Sequence, residues 1–273
     1  METIERLLAL LDTQMERPIP YQSWFHIGSL ILVFLIAIFF TVRLRHASKE
    51  TMRIFVLTVG ITMIVFEIYK QVNFSYTNDW SYRWYAFPFQ FCSTPMYGAL
   101  IAGWSKNERL RTALYGFLAT YGFVAGAFVM FVPHDVFTDT IGINIQTMVH
   151  HGGAAVMGSV LLFADIPGKS IRFGRAASVY VVTVAIAMVL NALHNSFIQD
   201  GTFNMFFINP RHGIHIDWVK PFYETVTYIP YLLTYVLGFT FVSYGVLVIG
   251  RTVRSQRERS AYRRRREAIQ CSH

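Results

Sequence analysis

Seven apolar stretches run along the chain, and each is long enough to cross a lipid bilayer. A membrane-spanning helix needs about 20 apolar residues, because each residue rises about 1.5 Å and the hydrocarbon layer is about 30 Å thick. The stretches are continuous, which favours helices over the short alternating strands of a barrel. We therefore predict an all-α polytopic membrane protein, a seven-transmembrane-helix bundle. The predicted spans are Trp24–Val42, Met52–Tyr69, Trp84–Trp104, Leu114–Val132, Ile143–Phe163, Ala176–His194 and Thr225–Gly250.

The composition agrees with a membrane protein. Of the 273 residues 53% are hydrophobic and only 15% are charged, which is too apolar for an ordinary soluble domain. We predict an outer segment over residues 1–23, a transmembrane domain over 24–250 and a basic cytoplasmic tail over 251–273. The outer segment has the apolar spacing of a short amphipathic helix, although a frayed chain end fits it equally well.

Lysine and arginine alternate from loop to loop and predict the orientation. They collect after the first, third and fifth spans and in the tail, whereas the other connections hold few of them. Because cytoplasmic loops are rich in these residues, we expect the chain start outside, the tail in the cytoplasm, and a plasma-membrane location, the inner membrane of a bacterium. A basic tail directly after a span is attracted to anionic phospholipids by about 1 kcal/mol per residue, so lipid is the expected partner and nucleic acid is not.

Polar side chains recur at one depth in four of the predicted spans. Such groups cost roughly 2.5–3.5 kcal/mol at membrane depth, so each needs a packing or functional reason. The predicted orientation places them near the outer ends of the helices, which indicates a polar pocket open toward the outer face. Its predicted members on the spans are Glu67, Gln90, Cys92, Ser93, Thr147, His150, His151, Asn191 and His194.

Two local features shape the predicted pocket. Pro88 and Pro95 bracket Cys92, and each removes a backbone hydrogen bond, so we expect a kink in the third span. Gly152 and Gly153 directly follow the two histidines of the fifth span. Glycines there allow a neighbouring backbone or a substrate to come close.

A cysteine near a histidine is a candidate catalytic pair, because an imidazole can take the thiol proton and leave the nucleophilic thiolate. Cys92 is the only cysteine within a predicted span, at a depth that matches His150 and His151, and Gln90 or Ser93 are possible oxyanion donors. The alternative is that Cys92 is simply a small buried residue. A transporter or receptor is a further alternative, whereas the histidines and acids lack the spacing of a metal site.

The chain resembles the YwaF-type integral membrane proteins of bacteria. The resemblance rests on Phe87 to Ser93 with its proline-then-cysteine order, on Tyr121 to Ala127 followed by Val132-Pro133-His134-Asp135, on His151-Gly152-Gly153, and on Gly201 to Phe206 with Asn204. It covers residues 20–250 in order. That family is similar in turn to an animal transmembrane enzyme that transfers acyl chains to ether phospholipids through a cysteine, and more distantly to membrane hydrolases of fatty-acid esters.

The resemblance implies Cys92 as the nucleophile and His151 as the base of an acyltransferase or hydrolase acting on lipid or acyl esters. The chain departs from the family at Gln90, where family members often have an acidic residue or a histidine. We expect Glu67, Gln90, Ser93, Thr147, His150, Asn191, His194 and Asn204 to bind substrate. A noncatalytic binder or transporter of a small polar or lipid ligand is the alternative. No cofactor is expected, and the sequence leaves the oligomeric state and the choice between His150 and His151 open.

Overall fold

The computed structural model describes residues 2–133, 136–213 and 220–270. The described residues form α-helices joined by short turns and contain no β-strand. His134 and Asp135 of the predicted fourth-span exit, His215 and Asp217 of the long connection after the sixth span, and Cys271 lie outside the described residues. The α-helices are α1 (Glu2–Leu11), α2 (Trp24–Arg43), α3 (Lys49–Tyr76), α4 (Thr94–Trp104), α5 (Glu108–Phe117), α6 (Phe123–Phe131), α7 (Ile141–Phe163), α8 (Asp165–Ser170), α9 (Phe173–Leu193), α10 (Lys220–Thr225) and α11 (Tyr228–Gln270).

Among the described residues, five helical segments are long and apolar enough to cross a membrane, which confirms a membrane protein built from apolar helices. They include α5 and α6, which a π-helical turn at Leu118–Gly122 joins, and α9 with the π-helical turn His194–Ile198. The five segments are Trp24–Arg43, Lys49–Tyr76, Glu108–Phe131, Phe173–Ile198 and Tyr228–Arg264.

The third predicted span is wrong as a single helix. Only Thr94–Trp104 is α-helical there, and these 11 residues reach about 16 Å, roughly half of the hydrocarbon layer. The preceding part consists of two 3-10 turns, Trp84–Ala86 and Phe91–Ser93. The prolines explain the difference, because Pro95 sits in the first turn of α4, where its missing N–H is harmless, and Pro88 keeps residue 87 extended. A break therefore replaces the expected kink.

The fifth predicted span is the central helix of the bundle. α7 has 23 residues, and it packs against α2, α3 and α6. Its polar residues lower its hydropathy, yet most of its side chains are buried, so it does not need an apolar surface toward lipid. Lower hydropathy thus separates this helix from the five apolar segments, and burial separates it from all of them except Glu108–Phe131.

Close packing of α6 on α7 depends on two glycines. A Cβ on Gly126 would lie 2.5 Å from the carbonyl oxygen of His151, and one on Gly158 would lie 2.6 Å from the Cβ of Phe123. Real side chains do not approach this closely, so both positions need a hydrogen in place of a side chain. The two glycines set the distance between α6 and α7, the helix that carries the buried histidines.

The last helix is tied to the end of α7. Arg254 is buried and donates hydrogen bonds to the carbonyls of Leu162 and Gly168, and Arg257 donates to the carbonyl of Phe163 and to the carboxylate of Asp165 at 2.8 Å. Cations are favourable where helix carbonyls lack partners. α11 continues without a break from its apolar part into these arginines, so the predicted boundary at 250/251 falls inside one helix.

Replacement of Gly126 by alanine is expected to destabilise the protein. The new methyl group would overlap the α7 backbone, and overpacking of this kind costs about 1–3 kcal/mol. The matched control is Gly238→Ala in α11, where no atom lies within 4 Å of the added Cβ and alanine favours the helix. Thermal unfolding in detergent measures both variants. Equal midpoints for the two alanine variants would contradict the packing described for α6 and α7.

Candidate functional site

The predicted site residues fall into two groups. Glu67, Cys92, Ser93, Thr147, His150 and His151 surround the contact of α3 and α7 with the Phe91–Ser93 turn. Gln90, Asn191 and Asn204 instead bind the backbone of residues 199–213, which we call the 199–213 connection. His194 stacks on this connection.

Cys92 lies in a short turn that its neighbours hold in place. The turn Phe91–Ser93 follows the extended residue Gln90, and the hydroxyl of Thr94 donates to the carbonyl of Phe91 at 2.8 Å. Ser93 directly follows Cys92 and is itself buried. The broken third segment thus presents a thiol and a hydroxyl side by side.

The two histidines of α7 differ in their surroundings. The Nδ1 atom of His151 lies 2.7 Å from the carbonyl oxygen of Thr147, which only accepts, so Nδ1 carries the proton and Nε2 keeps its lone pair. The ring of His150 lies beside the backbone of Cys92 and of Met63. Neither ring nitrogen of His150, nor Nε2 of His151, has a hydrogen-bond partner of good geometry among the described residues. The two ring centroids are 5.5 Å apart.

Unpartnered polar atoms of this kind are unusual in a protein interior. A buried donor or acceptor without a partner costs about 1–3 kcal/mol, so most such groups are satisfied in native structures. His150 and His151 are both at most 6% exposed. A base that must take a proton from a substrate or a thiol needs a free lone pair, and the histidine pair supplies one.

A buried ion pair stands beside this cluster. The carboxylate of Glu67 lies 2.8 Å from the ammonium of Lys70, one turn along α3, and the amide of Gln71 donates to it at 2.7 Å. The same amide donates to the carbonyl of Ala86, while its oxygen accepts from the hydroxyl of Tyr82. These extra hydrogen bonds are what a buried ion pair needs to offset its desolvation. The second carboxylate oxygen of Glu67 has no partner among the described residues.

Sequence reasoning left Lys70, Gln71 and Tyr82 out of the site. The spacing of three between Glu67 and Lys70 was a usable signal, because residues three apart share a helix face. Nothing in the sequence distinguishes Tyr82 from Tyr85 nearby.

Three amide side chains hold the 199–213 connection in place. The amide of Asn191 both donates to the carbonyl and accepts from the N–H of Met205, and the amide of Gln90 donates to the carbonyl of Asn204 and accepts from the N–H of Phe206. Asn204 donates to the carbonyl of Gly213 and accepts from the N–H of Asn209. The polar atoms of these three amides are hydrogen-bonded to the protein's own backbone. The amides therefore have a structural role that requires no ligand.

The connection also buries aromatic side chains against the third segment. His194 stacks on Phe203 with ring centroids 4.4 Å apart, and Trp84 packs edge-on against both rings. Phe203 and Phe206 are almost fully buried. Asn209, which also binds Asn195 and the carbonyl of Phe203, has no signal in the sequence that would have marked it.

A metal site does not emerge from the described residues. No group of three or more histidine, cysteine or acidic side chains there has a geometry that could hold a metal ion.

The chain belongs to the TMEM164 family, whose model matches residues 20–258. The match covers most of the chain and includes every residue of both groups. It establishes a membrane protein family, while the YwaF-type name and a bacterial source stay predictions. No curated protein sequence and no solved structure matches the chain significantly.

Removal of the Asn191 amide is expected to loosen the 199–213 connection. Asn191→Leu keeps the volume but leaves the N–H and carbonyl of Met205 unpaired, at a cost of about 1–3 kcal/mol. Limited trypsin digestion in detergent should then cut after Arg211 faster than in the wild type. The control is Gln256→Leu, an exposed amide on α11, which should leave the rate unchanged. Equal cleavage in both variants would contradict the role given to Asn191.

Proposed function

We propose that this TMEM164-family protein is a membrane acyltransferase or hydrolase acting on a lipid or acyl ester, with Cys92 as nucleophile and the histidine pair as base. The observation that carries the proposal is the buried meeting of His150 with the backbone of Cys92, next to imidazole nitrogens that lack partners among the described residues. Most buried polar nitrogens in native structures are paired. The family membership and its apolar helices support a substrate that is reached from the membrane.

The proposed reaction has two steps. An imidazole nitrogen takes the proton of the Cys92 thiol, and the thiolate attacks the carbonyl carbon of the ester, so a thioester forms and the alcohol leaves with that proton. Water or the hydroxyl of a second lipid then attacks the thioester, which releases a free acid or a new ester and restores the thiol. Hydrolase and acyltransferase differ only in this second acceptor.

In the proposal, both His150 and His151 belong to the general base. The contact with the backbone of Cys92 favours His150 as the group that takes the thiol proton. His151, predicted as the base from the family resemblance, has the defined tautomer and the available Nε2 lone pair, because Thr147 fixes its Nδ1 proton. His151 also lies within the electrostatic reach of His150, Lys70 and Glu67, so both rings belong to one proton-handling cluster.

The remaining predicted site residues are assigned to support. The hydroxyl of Ser93 next to Cys92 is the candidate donor to the developing oxyanion. Glu67 and Lys70 supply opposite charges near the thiol. Gln90, Asn191 and Asn204 act as positioning residues, because they fix the 199–213 connection beside the cluster. His194 stacks within that connection and takes no part in the chemistry.

A noncatalytic ligand-binding protein is the second candidate. The free carboxylate oxygen of Glu67 and the free Nε2 of His151 would suit the donors of a bound polar group without any reaction. The two candidates differ in one outcome, which is covalent acylation of Cys92.

An acyl label on Cys92 is the expected result of the enzymatic proposal. Membranes containing the full-length protein are incubated with a phospholipid whose acyl chain ends in an alkyne, and the hydroxylamine-sensitive thioester label is measured. Cys92→Ser should abolish the label, and alanine at the histidine that acts as base should lower its rate by about 10²–10⁴-fold.

The matched control is Cys271→Ser, which removes the other cysteine of the chain and should leave the label intact. Comparison of His150→Ala with His151→Ala identifies the base. Equal labelling of wild type, Cys92→Ser and both histidine variants would rule out the nucleophile and leave the binding protein as the better candidate.

We propose seven membrane crossings with the chain start outside and the tail in the cytoplasm of a plasma membrane. The five apolar segments support five of these crossings, and we assign the two further crossings to the α4 and α7 regions. The loop bias of lysine and arginine supports the orientation.

Cysteine accessibility tests this orientation. In a background without the native cysteines, Ser81→Cys should react with a membrane-impermeant maleimide in intact cells, because its loop is proposed to lie outside. Lys106→Cys should react only after the membrane is opened, and both positions are exposed, so neither is hidden by packing. The reverse pattern, or labelling of both in intact cells, would refute the orientation.

The tail is proposed to bind anionic phospholipids. Arg254 and Arg257 are engaged with the end of α7, whereas Arg259, Arg263 and Arg264 are exposed on α11. Exposed guanidinium groups near a membrane surface attract anionic headgroups, and this attraction weakens as salt rises.

A further inference from the structure

An apolar groove lies between α2 and α3. The two helices are consecutive, and each packs against α7, but they make few contacts with each other. The space that they leave is a cavity of about 510 Å³, within the range of roughly 300–1,000 Å³ that ligand sites occupy. Its floor is α7, and its walls are the facing sides of the two helices.

The groove is long and narrow. Along α2 it runs from Phe25 to Phe40, which at about 1.5 Å per residue is roughly 22 Å. The rings of Phe40 and Phe55, 5.4 Å apart, close one end. One leaflet of a bilayer is about 15 Å of hydrocarbon, half of the full layer. The groove is longer than this thickness, so it can hold the whole of one extended lipid chain.

The lining leaves little for a polar ligand to bind. Its few polar side chains are Ser29, Thr58 and Thr62, and the hydroxyl of Thr62 is already donated to the carbonyl of Thr58. No charged side chain of the described residues lines the groove. The chemistry of the walls therefore fits hydrocarbon.

The groove opens to the surface that faces lipid. Leu32 lines the groove and is nevertheless 58% exposed, and Phe34 and Leu35 beside it on α2 are exposed too. α2 and α3 are both among the segments long and apolar enough to cross a membrane. The mouth is thus continuous with the part of the surface that lipid chains already cover.

The glycine pair of α7 builds the floor. A Cβ on Gly152 would lie 2.6 Å from Val33, so this glycine lets α2 come close to α7. Gly153 faces Val59 and Met63 with space for no more than a methyl group. Met63 is the link to the polar cluster, because its side chain lines the groove while its backbone adjoins His150.

We propose that this groove binds one hydrocarbon chain of a membrane lipid. The hydrocarbon chain lies along α2 and α3, with Gly153 and Met63 beneath it. It passes over Gly152, the residue that directly follows His151 in the sequence. The site does not depend on any reaction at Cys92, so it stands or falls separately from the enzymatic proposal.

Photocrosslinking of a lipid tests the groove. The full-length protein in detergent is mixed with phosphatidylcholine that carries a diazirine within one acyl chain, irradiated, and analysed by mass spectrometry. Crosslinks should concentrate on groove residues such as Ser29, Val33 and Thr62. Val59→Trp fills the groove and should lower the crosslinked fraction by roughly tenfold, since a bulky side chain excludes the chain from that volume.

The matched control is Val65→Trp, on the same helix but 57% exposed and outside the groove, which should crosslink as the wild type does. Ser29→Phe, at the groove wall, gives a second blocking variant in case Val59→Trp fails to fold. Cys92→Ser should keep the full crosslinking. Crosslinks spread evenly over outward residues such as Phe34, or unchanged crosslinking in both blocking variants, would overturn the proposal. The groove proposal would also be overturned if the groove residues were crosslinked to another protein molecule, because the occupant would then be a second copy of the protein.

Discussion

The structure depends on the shielding of polar groups from lipid around α7. A polar side chain at membrane depth is tolerated only when it faces protein, a cavity or a partner. α7 meets this condition because α2, α3 and α6 pack on it, and the glycines at 126, 152 and 158 let α2 and α6 approach closely, so that its polar side chains are buried by protein. The apolar helices on the outside thus make a polar central helix possible.

Within that shielded interior, the buried amides and the histidine pair differ in hydrogen-bond satisfaction. The amides of Gln90 and Asn191 have their donors and acceptors paired with the backbone of the 199–213 connection. The imidazoles of His150 and His151 keep nitrogen atoms without described partners in equally buried places. Orphaned buried polar atoms are costly, and Tyr180, His194 and Ser243 carry them as well; the histidine pair differs from these because His150 also adjoins the backbone of Cys92.

The sequence predicted most of the helices and the regions in which the polar groups lie. Length and hydropathy located both ends of α2 and α9 within three residues, because a bilayer imposes a minimum helix length, but α3 extends seven residues beyond its predicted end. They misread residues 84–93, where the two prolines predicted a kink but the chain forms two 3-10 turns that pack against the 199–213 connection. The roles of Gln90, Asn191 and Asn204 were equally hidden, because a buried amide that binds backbone and one that binds substrate have the same sequence.

α7 is held more firmly at its Phe163 end than at its middle. At Phe163 the helix ends in carbonyls that accept from the guanidinium groups of Arg254 and Arg257, and Asp165 adds a charge partner, so this end is fixed to α11 by charge-assisted bonds. Around Gly152 and Gly153 the neighbours are apolar side chains of α2 and α3, which diverge from each other. Apolar contacts have no fixed direction and rearrange more easily than a network of ionic hydrogen bonds. A molecule that reaches the histidine pair from the membrane therefore meets least resistance between α2 and α3, the side on which the apolar groove lies.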